Sequence, residues 1–234
     1  ASGEFLGRQL SIDSVAGGPA RVSLPADSFA GPLVGSLMLF GGETEEGSQV
    51  SAIDVAAGCA TTLIGSADVI RGATISRDGA ALYFHSVTQR RRDLGVRRLD
   101  IASGGVEQVI GPIEADAAYG VTFATVLAWS EDGGSLAVQS CAIERCRTRV
   151  LDTATGELAL YAGDGHGALV GLDAARLYVF DDCHTRPCAL LAIERDGGAT
   201  SVVADEAFHA EMASQAGLTR LLIETAAGVE EVTP

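Results

Sequence analysis

The residues with the clearest chemical potential are four cysteines, arranged as two Cys-x4-Cys pairs. The pairs are Cys141 with Cys146, and Cys183 with Cys188. In each pair the second cysteine precedes an acidic residue by six positions, so the pairs occupy equivalent places in successive sequence repeats. Cysteines that face each other at the mouth of a hairpin come close enough for a disulfide. We therefore predict the bridges Cys141–Cys146 and Cys183–Cys188.

Two other uses of these cysteines stay open, namely a zinc site that includes His184 or a set of unpaired thiols. The spacing differs from the Cys-x2-Cys of common zinc sites, and no second histidine is nearby in sequence. If the disulfides form, we expect an extracytoplasmic protein, which is secreted, periplasmic or on the outer face of a membrane. The fifth cysteine, Cys59, is expected to be a small buried apolar residue.

All four histidines and several charged residues are predicted to lie in long loops on one face of the fold. The candidate binding residues are His85, Arg91, Asp164, His166, Asp182, His184, Arg186, Asp205 and His209. Loops on a rigid scaffold often carry binding residues, although long loops are polar for reasons of solvation alone. Histidine changes its charge between about pH 5 and 8. We therefore expect the binding of a charged partner to depend on pH in that window.

No motif in the sequence indicates a particular reaction. There is no Gly-x-Ser-x-Gly elbow, no phosphate-binding loop and no His-Glu-x-x-His helix. A glycosidase-like hydrolase would need carboxylates that converge on a channel, which Asp116, Asp164 and Asp205 are candidates to supply. Sugar sites also need aromatic platforms, and the twelve aromatic residues fall mostly in apolar strands. We predict a non-enzymatic binding protein without catalytic residues, cofactor or metal, and keep the hydrolase as the alternative.

Two short patterns alternate along the chain and predict the elements that position these residues. In the first, an apolar stretch ends in an acid and a glycine follows three or four residues later; the acids are Asp13, Asp54, Asp100, Asp152 and Glu194. In the second, a tight turn leads into an apolar strand; the turns are at 33–35, 76–79, 130–133, 173–175 and 213–217. Both patterns indicate hairpins, because glycine adopts a positive φ without steric cost.

The alternation of the two hairpins predicts an all-β fold, namely a β-propeller of five four-stranded blades of about 47 residues each. The predicted blades of this single domain, 1–234, are 30–64, 70–110, 121–161, 167–204, and 207–234 together with 1–24. Pairing of the N-terminal with the C-terminal strands would close the ring and remove exposed strand edges. The alternative, two stacked sandwiches, does not explain the circularly permuted order of the hairpins.

One segment resembles a known repeat. Trp129-Ser-Glu-Asp132-Gly133, followed by the apolar Leu136-Ala-Val138, is similar to the repeat of TolB-type, WD-like propellers, roughly Trp-Ser-Pro-Asp-Gly and then an apolar strand. The segment 76–79 is a second copy. The resemblance implies a bacterial propeller that binds proteins or small ligands. It does not imply a reaction, because a fold does not determine a function.

Composition excludes several classes of protein and partner. The chain of 234 residues has a net charge of −15, which repels nucleic acid. A hydrophobic fraction of 47% excludes a disordered chain. The longest uncharged run is the fifteen residues 28–42, which is shorter than the roughly 20 that a membrane-spanning helix needs. We expect a monomer that does not insert into membranes and that binds a protein or a small ligand on its long-loop face.

Overall fold

The computed structural model describes residues 9–14, 18–23, 29–34, 37–44, 47–54, 59–90, 92–112, 124–130, 132–141, 146–162, 166–181, 187–196, 198–215 and 218–233. All regular secondary structure in these ranges is β-strand, as the sequence predicts. Within the same ranges there is no helix with the length and apolarity that crossing a membrane requires. The chain divides into two compact units, Ala1–Ala115 and Asp116–Pro234.

The described residues of unit 1 form ten strands in three antiparallel sheets. The strands are β1 (Gln9–Ser14), β2 (Gly18–Ser23), β3 (Phe29–Val34), β4 (Leu37–Thr44), β5 (Gly47–Asp54), β6 (Cys59–Ser66), β7 (Val69–Ile75), β8 (Ala81–Val87), β9 (Asp93–Asp100) and β10 (Val106–Ile110). The first two strands pair with each other. The other sheets are β3-β4-β5-β6 and β7-β8-β9-β10, each in chain order.

In unit 2 the part of the chain that the structure describes forms eleven strands, also in three antiparallel sheets. The strands are β11 (Ala124–Trp129), β12 (Ser135–Cys141), β13 (Cys146–Asp152), β14 (Leu158–Ala162), β15 (His166–Leu172), β16 (Arg176–Asp181), β17 (Cys188–Glu194), β18 (Thr200–Ala207), β19 (His209–Gln215), β20 (Leu218–Thr225) and β21 (Gly228–Val232). Two sheets have four strands, β11 to β14 and β15 to β18, and the third has the order β19-β20-β21.

Among the described strands, β3 to β21 therefore form five consecutive sheets of three or four antiparallel strands, as the repeats predict. One strand, β21, is not indicated by either sequence pattern; it follows β20 through a turn at Ala226 and Ala227. The count of five blades and the pairing of N-terminal with C-terminal strands both concern the two units together, and they stay predictions.

The acid-to-glycine hairpins have the predicted geometry. The carbonyl groups of Asp100, Asp152 and Glu194 accept the N–H of the glycine four residues later, at 2.8–2.9 Å. These glycines are Gly104, Gly156 and Gly198, with φ between +66° and +74°. In the last hairpin the glycine with positive φ is one position beyond the Gly197 of the sequence pattern. Three turns of one design thus join the third strand of a sheet to its fourth.

Buried apolar side chains lie between neighbouring sheets of the same unit. In unit 1, Leu39 and Val50 of one sheet form a cluster with Ile75, Leu82 and Phe84 of the next. The first strands of successive sheets contact each other, β3 with β7 in unit 1, and β11 with β15 and β15 with β19 in unit 2. Adjacent blades of a propeller pack in this way.

Most side chains are exposed on three strands that end their sheets, β10, β18 and β21. β10, β14, β18 and β21 each have a single neighbour in the sheet to which they belong. A large apolar side chain faces solvent on each of them; these side chains are Val106, Leu158, Val202 and Val229. Burial is greater in the strands that precede them, such as β8, which is buried along its whole length.

Candidate functional site

The β12–β13 hairpin of unit 2 is closed by a disulfide at its mouth. Cys141 is the last residue of β12, Cys146 is the first of β13, and the two are register partners. Their sulfur atoms are bonded and their Cα atoms are 4.0 Å apart. The predicted Cys141–Cys146 disulfide is therefore present, and the hairpin register explains it.

The next sheet of unit 2 has a disulfide-bonded cysteine at the equivalent point. Cys188 is the first residue of β17, the third strand of its sheet, just as Cys146 is the first residue of β13. Cys188 is buried and disulfide-bonded, and its partner sulfur lies outside the described side chains. Cys183 is outside the described residues, so the Cys183–Cys188 pairing stays a prediction.

Two of the candidate histidines begin the first strand of their sheets in unit 2. His166 begins β15 and is the register partner of Asp181, while His209 begins β19 and is the register partner of Glu224. The side chains of Asp181, His209 and Glu224 are exposed. Directly opposite residues on paired strands have Cβ atoms about 4.5–5.5 Å apart. The sheet register thus places a histidine opposite an acid twice, once in each of two successive sheets.

His85 differs from the expectation that it lies in an exposed loop. It is inside β8, its side chain is fully buried, and its Nε2 is 3.0 Å from Oδ1 of Asp93 at the start of β9. The same carboxylate oxygen accepts the N–H of Gly95. Pairing with the Asp93 carboxylate compensates for burying the polar ring of His85. Strand β8 therefore continues beyond Phe84, where its apolar sequence ends. In this position His85 is part of the packing of unit 1.

The other sequence-based candidates divide into two groups. Asp205 is exposed and lies on β18, the fourth strand of its sheet. Five candidates fall outside the described residues: Arg91, Asp164, Asp182, His184 and Arg186. Of the three carboxylates considered for a hydrolase, only Asp205 is described. Within the described part of the chain, no group of three His, Cys, Asp or Glu side chains is placed to hold a metal ion.

The tight turns at the strand ends opposite to the disulfide contain aspartates that accept hydrogen bonds. The Ser130 hydroxyl donates to Asp132 at 2.6 Å, and the N–H of Gly134 donates to the same oxygen at 2.9 Å. These hydrogen bonds lower the pKa of Asp132 below its usual range. Asp173 accepts a 2.7 Å hydrogen bond from the hydroxyl of Tyr178. Burial, together with this bond, raises the pKa of Tyr178 to about 12.

Arg195 joins two sheets of unit 2, a contact that the sequence patterns did not indicate. Its Nη2 donates to Oγ of Ser135 at 2.8 Å, across sixty positions of the chain. Its Nη1 donates to the carbonyl oxygens of Asp173 at 3.2 Å and Ala174 at 3.0 Å. One sequence signal was available, because Arg195 directly follows the acid of a hairpin, but the sequence does not show which turn it reaches.

Comparison with known proteins identifies the fold. No family model matches the chain, and no curated protein matches it. Among solved structures, the chain is similar to TolB from Acinetobacter baumannii, with a TM-score of 0.54 and 13% identity over 81% of this chain and 49% of that one. It is similar to an oligogalacturonate lyase in complex with manganese, with a TM-score of 0.59 and 18% identity over 97% of this chain and 71% of that one.

A third similar structure is a puromycin hydrolase, with a TM-score of 0.59 and 14% identity over 96% of this chain and 39% of that one. The chain thus spans about half the length of the TolB structure and less than half of the hydrolase. Identities this low show the fold and do not extend to the reaction. The structures that it resembles are β-propellers. With five consecutive antiparallel sheets and no helix in its described residues, the chain is an all-β protein of the β-propeller fold.

Proposed function

We propose that the protein is an extracytoplasmic, non-enzymatic binding module, the sensory or scaffold domain of a membrane-anchored protein. The proposal rests on one observation, the disulfide between Cys141 and Cys146 at the same strand junction where the next sheet has the disulfide-bonded Cys188. Disulfides persist in oxidising compartments outside the cytoplasm. A ring of six residues contributes little to global stability, so its main effect is to fix the shape of the loop that it closes.

Loops held in one shape favour binding, because a partner then does not have to order them. The strand ends beside these loops carry the exposed side chains of Asp181, His209 and Glu224. They offer negative charge and hydrogen-bond donors and acceptors to a protein or a small ligand. The β12–β13 and β16–β17 junctions of unit 2 are therefore our candidate binding surface.

A photo-crosslinking experiment tests this surface. A photoreactive amino acid at Pro187, an exposed residue next to Cys188, should crosslink one partner in cells that produce the protein, whereas the same group at Thr155 should not. Thr155 is the matched control, because it is exposed on a tight turn of the same unit. The purified partner should then bind the double variant Cys141→Ser/Cys146→Ser about three- to tenfold more weakly than the native protein.

Two results would overturn the proposal. One is a partner whose affinity is unchanged in the double-serine variant. The other is turnover of oligogalacturonates, aryl glycosides or aminoacyl amides by the purified protein that disappears in Asp205→Asn. Oligogalacturonates test for the activity of the lyase that the fold resembles, and aryl glycosides test the glycosidase-like alternative. Aminoacyl amides test for an activity like that of the similar puromycin hydrolase.

A further inference from the structure

The Cys141–Cys146 disulfide draws two strand ends closer together than their sheet pairing requires. The two cysteines are register partners on β12 and β13, and their Cα atoms are 4.0 Å apart. Register partners of antiparallel strands that are not bridged have Cα atoms about 4.5 or 5.5 Å apart. Reduction therefore lets the ends of β12 and β13 move apart. The hairpin mouth thus has two arrangements, one with the bond and one without it.

The two disulfide positions of unit 2 differ in exposure. Cys141 and Cys146 are both half-buried, whereas Cys188 is only 5% exposed. Thiol–disulfide exchange requires an attacking thiolate to reach one sulfur of the bond, so its rate depends on access. A reductant therefore reaches the sulfurs at the mouth of the β12–β13 hairpin more easily than the sulfur of Cys188.

The charges beside the two bridges differ as well. Cys146 stands between Arg145 and Arg147 in the sequence, and with one glutamate the segment 140–147 has a net charge of +1. The segment 181–188 has two aspartates and one arginine, so its net charge is −1. Reactive cysteines lie in positive, partly exposed surroundings, because positive charge stabilises the thiolate. These surroundings favour Cys146 as the sulfur that leaves when the bond is attacked.

We propose that the Cys141–Cys146 disulfide is a redox-sensitive switch, which a dithiol protein opens while the bridge of Cys188 stays intact. A thiolate of the dithiol attacks Sγ of Cys141, the S–S bond breaks, and Cys146 leaves as a thiolate. The second thiol of the reductant then attacks the mixed disulfide and releases Cys141. Two electrons pass to the two cysteines together with the two protons of the dithiol, which becomes a disulfide.

The switch acts on the proposed binding surface, because the β12–β13 junction is part of it, and in this respect it depends on the proposed function. With the bond intact, the loop between the two cysteines is held in one shape. Without the bond, a partner must order the loop when it binds, which weakens the affinity. The bridge of Cys188 holds the other junction in both states. Reduction thus weakens binding in a limited and reversible way.

Redox titration of the native protein tests the switch without a partner. The full chain is equilibrated with mixtures of reduced and oxidised dithiothreitol, quenched with acid, alkylated in denaturant and mapped by mass spectrometry. Cys141 and Cys146 should be half reduced at a ratio of reduced to oxidised dithiothreitol about tenfold lower than Cys188 requires. In concentrated urea the two ratios should be about the same, because the predicted rings have equal size and therefore equal chain entropy.

A charge variant tests the role of the arginines. Arg147→Gln should slow the reduction of Cys141–Cys146 by dithiothreitol about threefold, because it removes a positive charge beside the leaving sulfur. Arg176→Gln is the matched control at a partly exposed arginine of the next sheet, and it should leave the rate unchanged. Equal ratios for the two bridges in the folded protein, reduction of Cys188 first, or an unchanged rate in Arg147→Gln would overturn the switch.

The crosslinked partner then reports the effect on binding. Reduction to the point where Cys188 is still bridged should weaken its affinity about three- to tenfold, and oxidised dithiothreitol should restore it. An affinity that this selective reduction leaves unchanged would also overturn the switch. Because the titration needs no partner, its failure is a failure of the switch alone. Absence of any crosslinked partner, with the titration as expected, is a failure of the proposed function alone.

Discussion

A serine and an aspartate two positions apart hold two of the tight turns that precede second strands, those at Ser76 and Ser130. In one turn the Ser76 hydroxyl donates to Asp78 at 2.6 Å and its oxygen accepts the N–H of Ala81 at 2.9 Å. Ser130, Asp132 and Ser135 repeat these contacts at 2.6 and 2.9 Å. Because the carboxylate oxygen accepts both the hydroxyl and a backbone N–H, its charged form is favoured. The turn is therefore stronger when the aspartate is ionised.

This predicts a pH-dependent effect of Asp132→Asn. The pKa of Asp132 is lower in the folded protein than in the unfolded chain, so its contribution is present above about pH 4 and is lost as the pH falls through the folded value. The group is mostly exposed, so we expect the variant to lose about 1 kcal/mol of unfolding free energy at pH 7, and clearly less at pH 2.5. Urea denaturation at both pH values measures the difference.

Asp196→Asn, at an exposed aspartate of another turn in unit 2, is the matched control and should change the unfolding free energy little at either pH. Comparing two variants at each pH cancels the effect of the chain's large net charge. A loss in Asp132→Asn that is equal at pH 7 and pH 2.5 would show that the carboxylate charge is not what holds the turn.

The sequence predicted where the turns lie, but it did not predict the hydrogen-bond partners or the burial of their individual residues. The turn at Asp173 was predicted as a repeat, yet its single carboxylate oxygen accepts the N–H groups of both Ala175 and Arg176, at 2.7 Å each. In this shorter turn one aspartate thus makes the hydrogen bonds that a serine and an aspartate share in the turns at Ser76 and Ser130. His85 was predicted in a loop because the apolar run ends at Phe84, and its burial depends on Asp93, eight residues away.

At the scale of elements, Gln139 connects two sheets of unit 2. It lies on β12, and its side chain is buried. Its Nε2 donates to Oγ1 of Thr148 at 3.1 Å and to the carbonyl oxygen of Gly167 at 3.0 Å, while its Oε1 accepts the N–H of Leu169 at 2.7 Å. One amide group thus supplies backbone partners to β15, where pairing with β16 has shifts in register.

We expect Gln139→Ala to lower the unfolding free energy by about 2–4 kcal/mol, because it leaves the buried N–H of Leu169 and the half-buried carbonyl of Gly167 without their partner and removes packing. Arg220→Ala is the control in the same unit: it removes a long polar side chain that pairs with Glu231 at an exposed position, and should cost about 0–1 kcal/mol. Chemical denaturation compares the two. Equal losses would contradict a special role for the buried amide.

The hairpins were predictable from sequence, whereas connections between sheets were not. An acid followed by glycine is a local signal, and it correctly located the turn after Asp100. Gln139 contacts residues 28 and 30 positions away, which no local pattern indicates. The strand β21 was missed for another reason. Four of its five residues are exposed, so it lacks the apolar alternation that reveals a strand.

At the scale of the whole molecule, the disulfides should stabilise loops more than the fold. On the chain-entropy model a ring of about six residues contributes about 2 kcal/mol. We expect reduction to lower the melting temperature by a few degrees while the far-ultraviolet circular dichroism of a β protein remains. Amide hydrogen exchange should accelerate at the end of β12, at the start of β13 and at the start of β17.

Mass spectrometry of the native protein checks the pairing. Alkylation in denaturant without reductant should label Cys59 alone, and reduction should add about four hydrogens, two for each disulfide. The double variant Cys141→Ser/Cys146→Ser should gain only two. Linkage of Cys188 to a cysteine other than Cys183, or loss of the fold on reduction, would contradict this view of the disulfides.

The fold class followed from the alternation of two hairpins, because each hairpin is a local unit and the pattern repeats along the chain. The number of blades and the closure of a ring do not follow in the same way. They depend on which strands pair across the whole length of the chain, from β1 and β2 to β19 through β21. Such pairings carry no local signal beyond the count of repeats.

The exposed outer strands determine how the protein behaves in concentrated solution. Among the described strands, β18 and β21 are each the last of their sheet, and they carry the exposed apolar side chains Val202 and Val229. An edge strand of this kind is a template on which another molecule can add a strand and start aggregation. Both strands also carry carboxylates, among them Glu206 and Glu230. At neutral pH and low salt, two copies that approach edge to edge repel each other, whereas acid or high salt removes this protection.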